Sequence, residues 1–346
     1  MHSEFFLGAN SAEGFYSLYD EFCREKGGYL HLIKGGPGGG KSGFMRKIGK
    51  AAEEAGYDVE YVLCSGDPAS LDGVYITQLN IGYVDATSPH ALEPDVFGVN
   101  CDYVNLGQFF RPCGNPDIEK YTKLYKQMYT TAYSYLKAAD CANNAEICGI
   151  FDNFAINKVK TRANNTLKRE LGGGKYSCGK ITRRFIRCIS CEGEIILHST
   201  LSKLCKHIFS LDDRFGLEQI YFDEVAHFST ALDRIVCPSP LNPRKTDAVL
   251  FPQIGLGFVS SSLMGELPVY RHIRLDALAD CDACRRQEVR RRERLYRELA
   301  GTACDYLKRA KKYHDLLEEA YRPCIDFPSL TEFTEREIER VIFRSE

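Results

Sequence analysis

The stretch YLHLIKGGPGGGKSGFMRKIGKAAEEAG, residues Tyr29–Gly56, decides the fold. Its first five residues form an apolar run that predicts a short buried strand. A glycine-rich loop follows, and then apolar residues at helical spacing that end at Gly56. From Gly35 to Ser42 the loop has the pattern G-x-x-x-x-G-K-[ST]. Strand, glycine loop and helix in this order are the context that a phosphate-binding loop requires.

The residue types in this loop suit phosphate binding. Glycines let backbone N–H groups approach an anion, and the positive end of the following helix points at the same place. Lys41 is expected to reach the β- and γ-phosphates of a nucleotide, and Ser42 to ligate Mg²⁺. The predicted nucleotide-contacting residues are Gly35, Gly36, Pro37, Gly38, Gly39, Gly40, Lys41, Ser42 and Gly43.

Two carboxylates are candidates for completing this site. A magnesium ion at such a loop needs a carboxylate at the end of another buried strand, and Ile81–Val84 lead directly into Asp85. The alternative is that Asp85 only begins a turn. Asp67 follows the predicted strand Val59–Leu63 and is the candidate for orienting water, or else part of a plain turn. His90 is a candidate sensor of the γ-phosphate or a structural histidine.

The two halves of the chain resemble each other at a nearly constant offset, which indicates a tandem duplication. LDGVYITQLNIGYVDA from Leu71 corresponds to TDAVLFPQIGLGFVSS from Thr246. The segment around Phe6 corresponds to that around Phe185, and YLKAA at Tyr135 corresponds to a later YLKRA. Each repeat is therefore expected to form the same kind of sheet followed by helices.

The second repeat lacks the phosphate-binding residues. FSLDDRFGLEQIYF replaces the glycine loop, so that Leu217 and Glu218 stand where the first repeat has its lysine and hydroxyl. Ser260 replaces the carboxylate, and Asp212 and Asp213 bring negative charge to the place where phosphate would bind. We therefore expect one nucleotide site per chain.

The repeats define the expected domain organisation. Residues 1–170 form the first repeat with its helical extension, 171–180 (LGGGKYSCGK) are a glycine-rich linker, and 181–346 form the degenerate repeat. In the first extension, tyrosines recur every four residues from Tyr121 to Tyr133, which predicts a helix face used for core packing. In the second, Arg285–Arg297 begin a long basic amphipathic helix. It is interpreted either as a solvated helix face or as a surface for nucleic acid or another anionic partner.

Composition limits the remaining function classes. The 346 residues carry a net charge of -2 and contain neither an apolar run long enough to cross a membrane nor a signal-like N-terminus. We therefore expect a cytoplasmic protein without a membrane partner.

The 15 cysteines are expected to be mostly buried thiols rather than disulfides. Cys188/Cys191 and Cys281/Cys284 have zinc-like spacing within each pair, but chance pairing is the competing interpretation.

Several segments together resemble a known family. These segments are FFLGANSAEGFYSLYD, IKGGPGGGKSGFMRKIG, CSGDPASLDGV, LNIGYVDATSPH and ITRRFIRCIS. They are similar to a little-characterised family of Firmicute P-loop ATPase-like proteins with two tandem repeats. The resemblance implies an α/β fold of the P-loop NTPase type, RecA-like or kinase-like in strand order, duplicated in tandem with helical hairpin extensions. It implies ATP and Mg²⁺ as ligands, the phosphate loop at Gly35–Ser42 and the metal carboxylate at Asp85. Gly39 departs from the threonine common in such loops.

Three functional hypotheses follow. The first is an ATPase that drives a conformational change between its repeats, with Lys41, Asp67, Arg183 and Arg184 as its catalytic candidates. The two arginines open the second repeat, and an arginine supplied in cis would stabilise transition-state charge. The second hypothesis is a small-molecule or nucleotide kinase with a helical lid over an unidentified acceptor. The third is a non-catalytic, nucleotide-gated module that binds nucleic acid or protein.

Overall fold

The computed structural model describes residues 2–23, 27–93, 96–144, 152–172, 179–278 and 283–343. The protein is a mixed α/β structure with two six-stranded sheets, one from each half of the chain. The tandem repetition predicted from the sequence is thereby confirmed. Residues 173–178 of the expected linker lie outside the described residues.

The described residues of the first half form one six-stranded sheet, a hairpin and three α-helices. Its elements are β1 (His2–Phe6), β2 (Gly8–Ser11), β3 (Gly14–Ser17), β4 (Tyr29–Lys34), α1 (Lys41–Glu54), β5 (Val59–Leu63), β6 (Leu71–Ile76), β7 (Ile81–Asp85), β8 (Cys101–Asn105), α2 (Asp117–Asn144) and α3 (Asn153–Leu171). The sheet order is β1-β5-β6-β7-β4-β8. β6 is antiparallel to both of its neighbours, and the other adjacent pairs are parallel. The carboxyl ends of β4, β5 and β7 therefore lie at one edge.

The second half repeats this plan and adds one short helix. Its elements are β9 (Ile181–Arg183), β10 (Arg187–Ser190), β11 (Gly193–Ile196), α4 (His198–Leu204), β12 (His207–Asp212), α5 (Leu217–His227), β13 (Arg234–Pro238), β14 (Thr246–Phe251), β15 (Leu256–Ser260), β16 (Arg271–Arg274), α6 (Ala283–Tyr321) and α7 (Phe327–Ile338). The sheet order is β16-β12-β15-β14-β13-β9. Read backwards, it matches the first sheet strand for strand, again with one antiparallel strand, β14.

The equivalence extends to individual side chains and backbone conformations. Gln78 accepts the N–H of Asp58 at 2.8 Å, and its counterpart Gln253 accepts the N–H of Asp233 at 3.2 Å. The residue that precedes α1 is a glycine with φ 76°, and the residue that precedes α5 is Gly216 with φ 96°. Such positive φ values favour glycine at this sharp entry into a helix. The second repeat has kept this geometry although its loop has lost the lysine and the hydroxyl.

The last helix of each repeat packs on the sheet of the other repeat. α3 contacts α5, and Val159 and Leu167 of α3 belong to the hydrophobic core of the second half. α7 contacts α1, and Leu330 of α7 joins Phe44 and Ile48 in the core of the first half. Leu171, the first residue of the expected linker, is the last residue of α3, and the core of each half includes a helix from the other half.

α2 and α6 pack along each other and form a further core cluster between them. Ala132 and Leu136 of α2 meet Ala303 and Leu307 of α6, and all four are fully buried or nearly so. The predicted tyrosine face of α2 packs against this cluster through its later members, including Tyr129. The helix pair therefore connects the two halves, and it carries the far end of α6 to the glycine loop.

Candidate functional site

The glycine loop, Gly35–Ser42, connects β4 to α1 and holds Lys41 beside a carboxylate. The Lys41 Nζ donates to the carbonyl oxygens of Gly35 at 2.9 Å and Gly36 at 3.1 Å. It also lies 3.5 Å from Asp85 Oδ2. β4 and β7 pair in parallel, with Ile33 opposite Asp85. The loop that follows β4 therefore begins beside Asp85, and Lys41 reaches this carboxylate.

One oxygen of Asp85 is fixed and the other faces the lysine. Oδ1 accepts the Thr87 N–H at 2.9 Å and the Thr87 hydroxyl at 2.6 Å. Oδ2 faces Lys41, and Asp85 as a whole is only 9% exposed. A carboxylate anchored in this way keeps one oxygen directed into the site with little freedom to rotate.

The start of α1 is suited to an anion. The residue before it, Gly40, has no side chain to cap the helix, so the first backbone N–H groups keep their capacity for an external acceptor. Ser42 Oγ accepts the N–H of Leu71 at 2.9 Å. A hydroxyl oxygen has a second lone pair, which is free to ligate a metal. Hydroxyl, carboxylate and lysine are the donor set that suits Mg²⁺ with a nucleotide phosphate, and the residues therefore fit these ligands.

Three described side chains from outside the glycine loop lie against its later glycines, from Gly36 to Gly40: Phe110, Glu318 and Leu330. We call these three residues the roof. The Gly38 N–H donates to Glu318 Oε1 at 3.2 Å. A Cβ at Gly39 would lie 2.8 Å from the Phe110 ring, which accounts for glycine at this position. Two of the three roof residues come from α6 and α7, so the second repeat directly contacts the loop of the first.

The segments that carry the roof are tied together covalently. Cys113 and Cys324 form a disulfide between chain positions 211 residues apart. Beside it, the N–H of Arg111 donates to the carbonyl of Cys324 at 2.7 Å, and the N–H of Asp326 donates to the carbonyl of Phe109 at 2.9 Å. The expectation that the cysteines are mostly thiols does not extend to this pair, because the fold brings two distant cysteines together.

Asp67 is held by contacts from its own turn and from α6. Its Oδ2 accepts the Ser70 hydroxyl at 2.9 Å and lies 3.5 Å from Lys311 Nζ. Lys311 also pairs with Asp315. Burial lowers the pKa of Lys311, but hydrogen bonds to Asp315 and the charge of Asp67 raise it overall above its ordinary value. Lys311 and the roof residues belong to no sequence motif, so no local pattern predicts their position at the site.

His90 lies in a polar cluster inside the first half. Its Nε2 is 3.3 Å from Asp72 Oδ2, and its ring packs against Phe15 and Tyr19. Asp72 also accepts the Tyr19 hydroxyl at 2.8 Å, and burial raises the pKa of Asp72. These contacts give His90 a structural role between β6 and the β2–β3 hairpin region.

The structure does not bring Arg183 and Arg184 to the glycine loop. Arg183 Nε donates to Glu21 at 2.8 Å, and Arg184 Nε donates to Glu60 at 2.7 Å. Glu60 is the second residue of β5, and the loop lies at the opposite ends of the parallel strands. Arg184 is also only 6% exposed. Both arginines therefore contact glutamates of the first repeat, and Arg184 does so at the ends of the parallel strands remote from the loop.

The second repeat fills its own anion position. The Asp213 carboxylate accepts the N–H of Phe215 at 3.0 Å and the N–H of Glu218 at 2.8 Å. The neighbouring Asp212 instead contacts His272 at 2.9 Å. An internal carboxylate on the amides at the start of α5 competes with any phosphate there. The Asp213 carboxylate therefore occupies the amides at the start of α5 in the second repeat.

The other sequence candidates are only partly described. Cys188 is buried, which raises its pKa and favours the neutral thiol over a metal-binding thiolate. Cys281 and the side chain of Cys284 lie outside the described residues, and so does the side chain of Arg285. Further along α6, Val289 is buried and Arg292 donates to the carbonyl of Asn143 at 2.8 Å. The basic segment therefore has a packed face as well as exposed arginines.

Comparisons with protein-family models, curated proteins and solved structures found no match. Among the described residues, the helices include none that is both long enough and apolar enough to cross a membrane. The chain is thus defined by its own geometry: an α/β protein of two tandem six-stranded mixed sheets, with a glycine loop, a lysine and a carboxylate at the edge of the first sheet.

Proposed function

We propose that this protein is a P-loop NTPase that binds and hydrolyses Mg-ATP at Gly35–Ser42, one nucleotide per chain. The observation that carries the proposal is the position of Lys41 Nζ, 3.5 Å from Asp85 Oδ2 at the start of a helix without a side-chain cap. A lysine and a carboxylate opposed in this way match the two roles that phosphate and magnesium binding require.

Each residue has a defined role in this proposal. The loop N–H groups and Lys41 bind the phosphates, for which Lys41 exchanges its contact with Asp85 for one with the nucleotide. Ser42 and Asp85 hold Mg²⁺, which supplies charge neutralisation on the phosphates when it is bound. Asp67 orients the attacking water, and Lys311 holds Asp67 in place from α6.

The roof favours hydrolysis coupled to motion between the repeats. Glu318 occupies the Gly38 N–H, so phosphate binding to that amide requires α6 to shift or the Glu318 side chain to rotate. α6 packs along α2, and through it a change at the loop reaches both halves. This contact supports the ATPase over the kinase, since a kinase needs an open path for an acceptor where the roof now lies.

The test is Mg-ATP binding and turnover by the wild type, Lys41→Ala and the matched control Lys50→Ala. Lys50 lies on the same helix with its side chain 75% exposed, and its nearest acidic partner is Glu54 at 3.8 Å. We expect Lys41→Ala to lower turnover by on the order of a hundredfold and to weaken binding, with the control unchanged. Undiminished Mg-ATP binding by Lys41→Ala would contradict the site. ADP formation that depends on an added acceptor would instead indicate the kinase.

A further inference from the structure

A groove of about 570 Å³ lies between α3 and β16, the edge strand of the second sheet. Phe209 and Ile273 form part of its floor and are buried. Four of its lining residues are cations: Lys158, Arg162, Arg169 and Arg271. None of the described residues that line the groove is acidic. The volume is in the range of ligand sites, and the charge favours an anionic ligand.

The sequence of α3 produces this charge. Its residues Asn153–Leu171 contain five lysines or arginines and one acidic residue, Glu170, which pairs with Arg169 at 2.8 Å. Val159 and Leu167 face the core, and Lys158 and Arg169 lie about three helical turns apart on a shared outer face. They are separated by about 16 Å along the helix axis. A single phosphate group cannot contact both Lys158 and Arg169 across this distance. The two cations therefore suit a polyanion better than a mononucleotide.

One contact joins the two walls of the groove, and a second positions a cation beside an aromatic ring on α3. Arg162 Nη1 donates to the carbonyl oxygen of Arg274 at 2.9 Å, which ties α3 to the end of β16. Lys158 Nζ lies 4.4 Å from the centre of the Phe154 ring. Phe154 is 65% exposed, so most of its surface remains open to solvent. An exposed aromatic ring among cations is the arrangement on which proteins stack unpaired bases while binding the phosphate backbone.

We propose that this groove binds single-stranded nucleic acid, with phosphates on Lys158, Arg169 and Arg271 and a base stacked on Phe154. An unpaired strand fits better than a duplex, because the face of a base is accessible for stacking only when the base is unpaired. An unpaired strand also fits better than an acidic peptide, because a base offers the exposed Phe154 ring a planar group to stack on. The site is distinct from the glycine loop and also from the exposed arginines of α6, and it does not depend on nucleotide binding.

The test is fluorescence anisotropy of the full-length chain with a labelled oligothymidylate of about 12 nucleotides. An abasic oligonucleotide of the same length and charge is the comparison. For three phosphate contacts, a plot of the logarithm of the association constant against the logarithm of the salt concentration should have a slope of about -2. Lys158→Glu/Arg271→Glu should weaken binding at least about tenfold and flatten that slope. Lys123→Glu/Lys126→Glu, the same charge change on exposed residues of α2, should leave binding unchanged.

Phe154→Ala separates stacking from charge. It should weaken oligothymidylate binding by about tenfold and leave the abasic oligonucleotide unaffected. Absence of binding at low salt, an equal loss in the α2 control, or tighter binding of duplex DNA or polyglutamate would overturn the proposal. Normal binding by the groove variants together with loss in Arg291→Glu/Arg294→Glu would assign the nucleic-acid surface to α6 instead. Thermal unfolding of each variant checks that the fold is intact.

Discussion

Phe6 and Phe185 occupy equivalent positions in the two repeats and hydrogen-bond to each other in both directions. The N–H of Phe6 donates to the carbonyl of Phe185 at 2.9 Å, and the N–H of Phe185 donates to the carbonyl of Phe6 at 2.9 Å. Both side chains are fully buried. An equivalent pair that contacts itself lies on an approximate two-fold axis, as in an isologous dimer. The repeats therefore associate like two subunits joined in one chain.

This axis explains why the last helices are exchanged. The core around Phe6 and Phe185 contains residues of both halves, including Leu7 and Leu201. When the repeats share this core, α3 and α7 each lie near the sheet of the other repeat and pack into its hydrophobic core. The symmetric framework carries asymmetric sites, because the first loop keeps its lysine whereas the second is filled by Asp213.

The shared core predicts cooperative unfolding of the two halves. Phe6→Ala and Phe185→Ala should each lower the free energy of unfolding by about 3 to 5 kcal/mol, because each leaves a cavity at the axis. Denaturant unfolding should show one transition in both variants. Phe97→Ala, at a side chain that is 64% exposed, is the control and should change stability little. Two separate transitions in the wild type would contradict the shared core.

Glu318 is predicted to oppose nucleotide binding. Its carboxylate accepts the Gly38 N–H, one of the amides expected to meet phosphate. Glu318→Gln removes the charge that competes with the nucleotide, so the Kd for Mg-ATP should fall by about three- to tenfold. The control is Glu319→Gln, at the exposed neighbouring position. Isothermal titration calorimetry measures both, and weaker binding by Glu318→Gln would show that this carboxylate assists the nucleotide.

The Cys113–Cys324 disulfide is predicted to slow nucleotide exchange, because it ties together the two segments that carry the roof. Cys113→Ser, or reduction of the wild type, should accelerate both association and dissociation of a fluorescent ATP analogue in stopped-flow measurements. Cys141→Ser removes an exposed free thiol and is the control. Identical rates in oxidised and reduced wild type would mean that the roof does not limit access.

Local patterns were sufficient to predict the parts of the fold that depend on adjacent residues. The strand, loop and helix around Lys41 follow from hydrophobic spacing and glycines, and the duplication follows from a constant offset. Asp85 was found because a buried strand leads directly into it, and parallel pairing with β4 then places it beside the lysine.

Contacts between remote segments left no comparable signal. Gly38 and Glu318 are 280 residues apart, and nothing around Glu318 distinguishes it from other charged residues of a long helix. The hydrophobic faces of α3 and α7 are visible in the sequence, but which sheet they cover is decided by the axis at Phe6. Arg183 and Arg184 were proposed on charge and position alone, and glutamates nearer to them became their partners.

Glu218, which stands where the first repeat has its serine, is predicted to make the free energy of unfolding depend on pH. Burial, Asp213 and Asp247 raise the pKa of Glu218 to about 8, against the opposing effects of Ser260 and Arg187. The unfolded chain has the ordinary glutamate pKa of about 4.3. Between these two values the folded state binds the extra proton, so this group's contribution to stability is present at low pH and is lost as pH rises toward 8.

Glu218→Gln should remove this dependence, because an amide stays neutral in both states. The variant should be more stable than the wild type at pH 8 by a few kcal/mol and close to it at pH 5. Glu266→Gln, at an exposed position of the same repeat, should show the wild-type profile. Denaturant unfolding across this pH range measures the three proteins. If the free energies of unfolding of the wild type and of Glu218→Gln change with pH in parallel, Glu218 ionises with an ordinary pKa. Asp213 would then be the only one of the two carboxyl groups that responds to its position at the start of α5.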